Sequence, residues 1–276
     1  MMYVDAAEQL ISQARRGRFG ELLPQLLALA TDPAGEPDPA WEAGAAAIQI
    51  LFWHDRFAEA ADLAETLITR QAPLGGELCD QDVPFDDSFL AAELHAGVPA
   101  GPRMRAAAAL VPPDRVLGES LLWRADELAL RPAGQLLPSA HDWGGPVRSA
   151  DGVIGGQLLE REFGSLGERD KPVAWTALKT TNDFPRARAL VEDAGELPEE
   201  YDALLWLAGW YAVEGAVEAG ERMLLAAHGR WWPYMRWDAI PDSMVLQPAL
   251  RPVVTDRVRE HYLTRPIGPE ARSDRK

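Results

Sequence analysis

One cysteine, Cys79, is all that the 276 residues contain. An internal disulfide is therefore excluded, and so is any zinc site built from several thiolates. Acidic neighbours around Cys79 disfavour a reactive thiolate there. Nowhere do roughly 18 apolar residues run together, so no membrane span is expected. The opening MMYVDAAEQL lacks a basic, long apolar leader, and no secretory signal is expected from it. The phosphate-cradling pattern G-x-x-x-x-G-K-[ST] is missing, as is a strand followed by G-x-G-x-x-G. The G-x-S-x-G turn of hydrolases is missing too. Five histidines (54, 95, 141, 228, 261) show no H-E-x-x-H or other ligand pair at helical spacing. No metal, cofactor or catalytic residue is expected. Sustained period-2 alternation is also absent, which argues against a sheet.

What is present is an ordinary globular balance: 47% hydrophobic and 25% charged residues, enough to fill a core and too apolar for wholesale disorder. The formal charge is −16, unevenly spread. Residues 230–276 hold nine Lys/Arg against six Asp/Glu, leaving −19 on the first 229. So acidic a body repels nucleic acid and steers a basic protein towards itself. The plainer reading is that acidity keeps a cytoplasmic protein soluble.

Apolar residues recur at three-and-four spacing through most of the chain, which predicts amphipathic helices. Residues 3–30 read as a helical hairpin, with Val4, Ala7, Leu10, Ile11 and Ala14 on one face. Phe19, Leu22, Leu23, Leu26, Leu27 and Ala30 form the second face. TDPAGEPDPA (31–40) reads as a loop. A second hairpin buries Trp41, Ala45, Ile48, Leu51 and Phe52, turns at His54-Asp55-Arg56, then buries Phe57, Ala60, Ala61, Ala64, Leu67 and Ile68. Residues 72–87 read as a loop, with Asp86-Asp87-Ser88 starting a helix through Leu94. Pro102–Leu110 is a short helix. Pro113 opens another to about Leu130, burying Val116, Leu117, Leu121, Leu122, Ala125 and Leu128. The Gly/Pro-rich stretch 131–156 reads as a boundary or functional loop. Val253–Tyr262 forms a last helix, and 264–276 a frayed or extended tail.

The stretch Tyr201–Asp238 is the clearest hairpin. Leu204, Leu207, Ala208 and Tyr211 share one face; Val217, Gly220, Leu224 and Ala227 share the next, and Gly215 suits the turn between them. An F-x-x-[AL] pattern opens the second helix at Phe19/Leu22, Phe57/Ala60 and Phe184/Ala187. Val217/Gly220 occupies the corresponding place. Spacings of 38 and 33 residues fall in the range of two-helix repeats. Residues 1–72 are thus expected to form N-terminal hairpins, 73–156 an irregular helical middle with long loops, and 157–276 C-terminal hairpins and a tail.

Two groups could bind a partner. Arg230, Trp231, Trp232, Tyr234, Arg236 and Trp237 are of the residue types that dominate interface hot spots. The alternative is that these aromatics cap the end of the helical stack. Glu77, Asp80, Asp82, Asp86 and Asp87 lack the central glycine and closing glutamate of a calcium loop. They read as a solvated acidic loop or as a docking surface for a basic partner. The adjacent pairs His54-Asp55 and His141-Asp142 carry no nucleophile, and His54 is expected to close its turn.

The interleaved large and small residues of Tyr201–Asp238 resemble a tetratricopeptide-type hairpin, with Val217 where an aromatic is usual and Gly220 in place of the usual alanine. That resemblance implies an all-α protein, its hairpins stacked as an α/α superhelix. Arginine greatly outnumbers lysine, which occurs only as Lys171, Lys179 and Lys276; with abundant Ala, Gly and Pro this suggests a GC-rich, actinobacterial genome. LLLAAH, GRWWPY and VLQPALRPVVTDRVREHYLTRP resemble a family of actinobacterial cytoplasmic proteins loosely associated with immunity to polymorphic toxins. The expected function is a cytoplasmic, non-enzymatic scaffold that grips one basic, toxin-like protein, with no nucleic-acid or membrane partner. The alternatives are a peptide-binding adaptor within a larger assembly and, third, an enzyme with a site assembled from distant residues.

Overall fold

Helix after helix follows the three-and-four periodicity in the structure, a computed structural model that describes residues 6–71, 85–112, 116–129 and 157–273. Among the described residues there is no strand. No described helix is long and apolar enough to cross a membrane. The chain divides into two compact units. Unit 1 takes Met1–Ser139, Trp232–Leu246 and Tyr262–Lys276; unit 2 takes Ala140–Trp231 and Gln247–His261.

Unit 1 is built around α3 (Pro37–Trp53), which packs with α1 (Ala6–Ala14), α2 (Phe19–Thr31) and α4 (Phe57–Gln71). Every residue of α3 from Ala40 to Trp53 is buried, so this helix has no solvent face. Its alanines and Gly44 let the neighbours come close: a Cβ on Gly44 would stand 2.2 Å from Leu67 Cδ1. The stretch 31–40, expected as a loop, is one only over 32–36. Thr31 ends α2, and Pro37 and Pro39 lie in the first turn of α3. Proline is tolerated there because the first-turn N–H groups have no intrahelical acceptor to lose.

The unit continues through α5 (Phe85–Ala96), α6 (Ala100–Ala108) and α7 (Val116–Ala129). Here the expected burial is corrected. Leu121 and Ala125 are in the core, whereas Val116 and Leu122 are exposed and Arg124 is buried instead. Arg124 turns inward because Asp86, in the first turn of α5, accepts from its Nε at 3.3 Å. The C-terminal tail is tied down rather than frayed up to Ser273: Ile267 is fully buried, its N–H donates to Arg15 O at 2.7 Å, and α14 (Pro269–Ser273) follows.

Unit 2 holds the hairpins α8 (Asp170–Thr180)/α9 (Phe184–Glu192) and α10 (Tyr201–Val213)/α11 (Val217–His228). A 3-10 turn at Arg251–Val253 packs on both α10 and α11. It explains Gly220: a Cβ there would lie 2.4 Å from Val253 Cγ1, so the position usual for alanine has no room for it. The short helix α12 (Ser243–Leu246) belongs to unit 1, and α13 (Asp256–Thr264) divides between the units after His261.

The F-x-x-[AL] pattern has a backbone counterpart. Phe19, Phe57, Phe184 and Val217 are each the first residue of a second helix. Two positions earlier stand Gly17, Asp55, Asn182 and Gly215, all left-handed, with φ of 84°, 56°, 55° and 73°. The N–H of the intervening residue reaches back five residues in three of these turns: Arg56 to Leu51 O (3.0 Å), Asp183 to Leu178 O (2.9 Å) and Ala216 to Tyr211 O (2.8 Å). This is the 6→1 bond of a Schellman motif, which satisfies carbonyls orphaned at a helix end. In the first hairpin Arg18 reaches back four, to Ala14 O at 3.1 Å.

Candidate functional site

The aromatic–arginine run enters unit 1 as an irregular strap, 232–242, that lies on α1 and α3. Asp238 shapes it from within. Its Oδ2 accepts from the backbone N–H of Tyr234 (2.8 Å) and Met235 (2.7 Å), closing a turn over 234–238. The helices then hold the main chain by polar side chains that are themselves buried. Arg15 of α1 donates from Nε to Asp238 O at 2.7 Å and from Nη2 to Arg236 O at 2.9 Å. Gln49 of α3 donates to Asp238 Oδ1 at 3.1 Å and accepts from Ala239 N–H at 2.8 Å. Trp53 Nε1 donates to Pro241 O at 2.6 Å.

Glu42, Gln49 and Trp53 stand at seven- and four-residue spacing, hence on one face of α3, beneath the strap. The Glu42 carboxylate, 1% exposed, meets the guanidinium of Arg236. Burial pushes the Arg15 pKa below its usual value, because a desolvated guanidinium is disfavoured; Glu270, Asp238 and Glu8 oppose this. Tyr262 stacks on Trp53 at 4.7 Å and adds an apolar floor.

This anchorage separates the expected site residues. Trp237 is 2% exposed and, with Ala239, Ile240 and Met244, is packed into unit 1. Tyr234 is 89% exposed, Trp232 is 55% exposed, and the Arg236 side chain is 56% exposed. Trp231 belongs to unit 2 and is buried there. The run is thus part core and part surface: Arg230 is exposed in unit 2, and the part presented by unit 1 is Trp232, Tyr234 and Arg236.

The acidic group is not a solvated set where it is described. Asp87 is buried, and Asp86 is bonded to Arg124 across to α7. Glu77, Cys79, Asp80 and Asp82 lie outside the described residues, as do His141-Asp142 and the 131–156 stretch. His54 does close its turn: its N–H donates to Ile50 O and Leu51 O at the end of α3. Among the described residues no group of three or more His, Cys, Asp or Glu could hold a metal ion. An open depression of about 390 Å³ runs along α4, lined by Asp62, Glu65, Thr66, Thr69 and Arg70. Its two carboxylates are already bonded to Arg103, at 2.8 and 2.6 Å.

Sequence reasoning passed over Arg15, Glu42 and Gln49. A signal existed: Glu42 and Gln49 are the polar interruptions in an otherwise apolar α3 stretch, one on each side of two helical turns. Compared with known proteins, the chain matches no family model, no curated protein and no solved structure.

Proposed function

We propose that the chain is a non-enzymatic protein-binding scaffold, with Trp232 and Tyr234 as its anchors. The observation that carries this is the strap: two exposed aromatic side chains on a segment whose backbone is held by buried Arg15, Gln49 and Trp53. Covering each ring with a partner would remove apolar surface worth about 1.5–3 kcal/mol. A pre-braced segment also loses little conformational entropy on binding. The repeated left-handed turns support the reading that the hairpins stack in a tetratricopeptide-like superhelix. The net charge of −16 favours a basic partner. Within this reading the protein acts in the cytoplasm, where it neutralises a basic toxin by occlusion.

The test is capture of partners from the native host at low and high salt, by wild type and by the W232A/Y234A double variant. One stoichiometric basic protein is expected, retained less at high salt and lost with the double variant. Several substoichiometric partners would favour an adaptor instead. Equal capture by wild type and variant would overturn the assignment of the strap.

A further inference from the structure

α10 carries a second aromatic surface, in unit 2, that owes nothing to the strap. Asp202, Trp206, Trp210 and Glu214 follow one another at four-residue spacing, a stripe of carboxylate, indole, indole, carboxylate. Trp206 and Trp210 are half-buried, while Val213 beside them is 72% exposed. Both indole N–H groups point at the same acceptor: Asn182 Oδ1 receives Trp206 Nε1 at 3.1 Å and Trp210 Nε1 at 2.9 Å. Phe184 backs the pair, stacked on Trp210 at 5.4 Å and edge-on to Trp206 at 6.4 Å. With their polar edges bonded to Asn182 and one ring stacked from behind, the indoles are held in fixed orientation.

Asn182 itself stands in the left-handed turn position that is glycine in two of the other hairpins. Asparagine tolerates that backbone better than most residues, and here its amide is what orients the two rings. Carboxylates outnumber cations at the two ends of the stripe, where Asp202, Glu214 and Glu192 meet Lys179 and Arg188. From Glu192 to Asp202 there are six carboxylates (Glu192, Asp193, Glu196, Glu199, Glu200, Asp202) and no basic residue. The cations that reach this surface come from neighbouring helices: Lys179 stands 4.0 Å from Asp202, and Arg188 lies 2.8 Å from Glu214.

We infer that the Trp206–Trp210 pair is a docking platform for an arginine-bearing basic segment of a partner protein. A guanidinium is planar, stacks on an indole face, and is more weakly hydrated than an ammonium, so it suits two fixed indoles flanked by carboxylates better than lysine does. Asp202 and Glu214, at the two ends of the stripe, exchange their own cations for those of the incoming segment.

The experiment titrates the full chain with short peptides of alternating arginine and glycine, lysine and glycine, or glutamate and glycine. The indole N–H resonances of Trp206 and Trp210 are followed by NMR, each assigned by its loss in W206F or W210F. The arginine peptide is expected to shift both resonances and to bind several-fold more tightly than the lysine peptide; the glutamate peptide is expected to leave them in place. W206L should weaken the arginine peptide about fivefold, the size of one cation–π contact. D202N/E214Q, which alters charge and leaves the aromatic packing intact, should weaken it similarly and keeps the test open if W206L unfolds. Unmoved resonances with the arginine peptide, or equal affinity in D202N/E214Q, would overturn the proposal. W232A/Y234A serves as the control: unchanged peptide affinity there separates the fate of this platform from that of the strap.

Discussion

At the scale of single residues, burial decides what a side chain can do. Tyr211 is fully buried on α10, edge-on to Phe184 at 5.4 Å. Burial raises the phenol pKa; the Glu192 carboxylate pushes the same way, and Arg188 opposes. The folded state therefore holds the proton more tightly than the unfolded chain, whose tyrosines ionise near pH 10. Its contribution to stability is complete below that pH and is lost as pH rises towards the folded value. Denaturant unfolding followed from about pH 8 to about pH 11 should show stability falling on the alkaline side, and Tyr211→Phe should flatten that limb. A variant whose alkaline limb matches wild type would show that another group is responsible. Gly220 makes the same point through volume, since Val253 occupies the space that a methyl group would need.

Single elements show how a segment without regular structure becomes rigid. The strap 232–242 has no ladder of its own, so its backbone groups are met by Arg15, Gln49, Trp53 and Asp238. Gln49 is the most exacting, because its amide both donates to Asp238 and accepts from the buried Ala239 N–H. Gln49→Ala leaves that N–H without its acceptor and should cost about 1–3 kcal/mol in urea unfolding, with faster hydrogen exchange at Ala239. By contrast W232A and Y234A, on the exposed side, should each stay within about 0.5 kcal/mol of wild type. Comparable losses from Gln49→Ala and Tyr234→Ala would mean that the strap is not braced as described. The hairpins were legible in the sequence because Phe19, Phe57 and Phe184 mark helix starts locally. The strap was not, because Arg15 and Asp238 are 223 residues apart, and no local pattern pairs them.

For the whole molecule the dominant feature is charge. A formal −16, with −19 on the first 229 residues, makes the compact state repel itself. Raising salt from about 0.01 M to about 0.15 M shortens the Debye length from about 30 Å to about 8 Å and relieves that repulsion. The thermal midpoint is therefore expected to rise over this range in calorimetry, while capture of a basic partner weakens. A midpoint that falls instead would show that the surface ion pairs, such as Arg103 with Asp62 and Glu65, outweigh the net repulsion.

By itself the sequence determined that this protein is helical, where its hairpins turn, and which residues open their second helices. Those properties depend on periodicity and turn chemistry within a few residues. Only the tertiary structure decided that Trp237 is core while Tyr234 is surface, that Asp87 is buried, that Arg124 faces inward, and that two indoles of α10 share the amide of Asn182. These outcomes depend on which surfaces meet across tens to hundreds of residues. The pairing is set by shape and by the need to satisfy each buried polar group, neither of which is encoded in neighbouring letters.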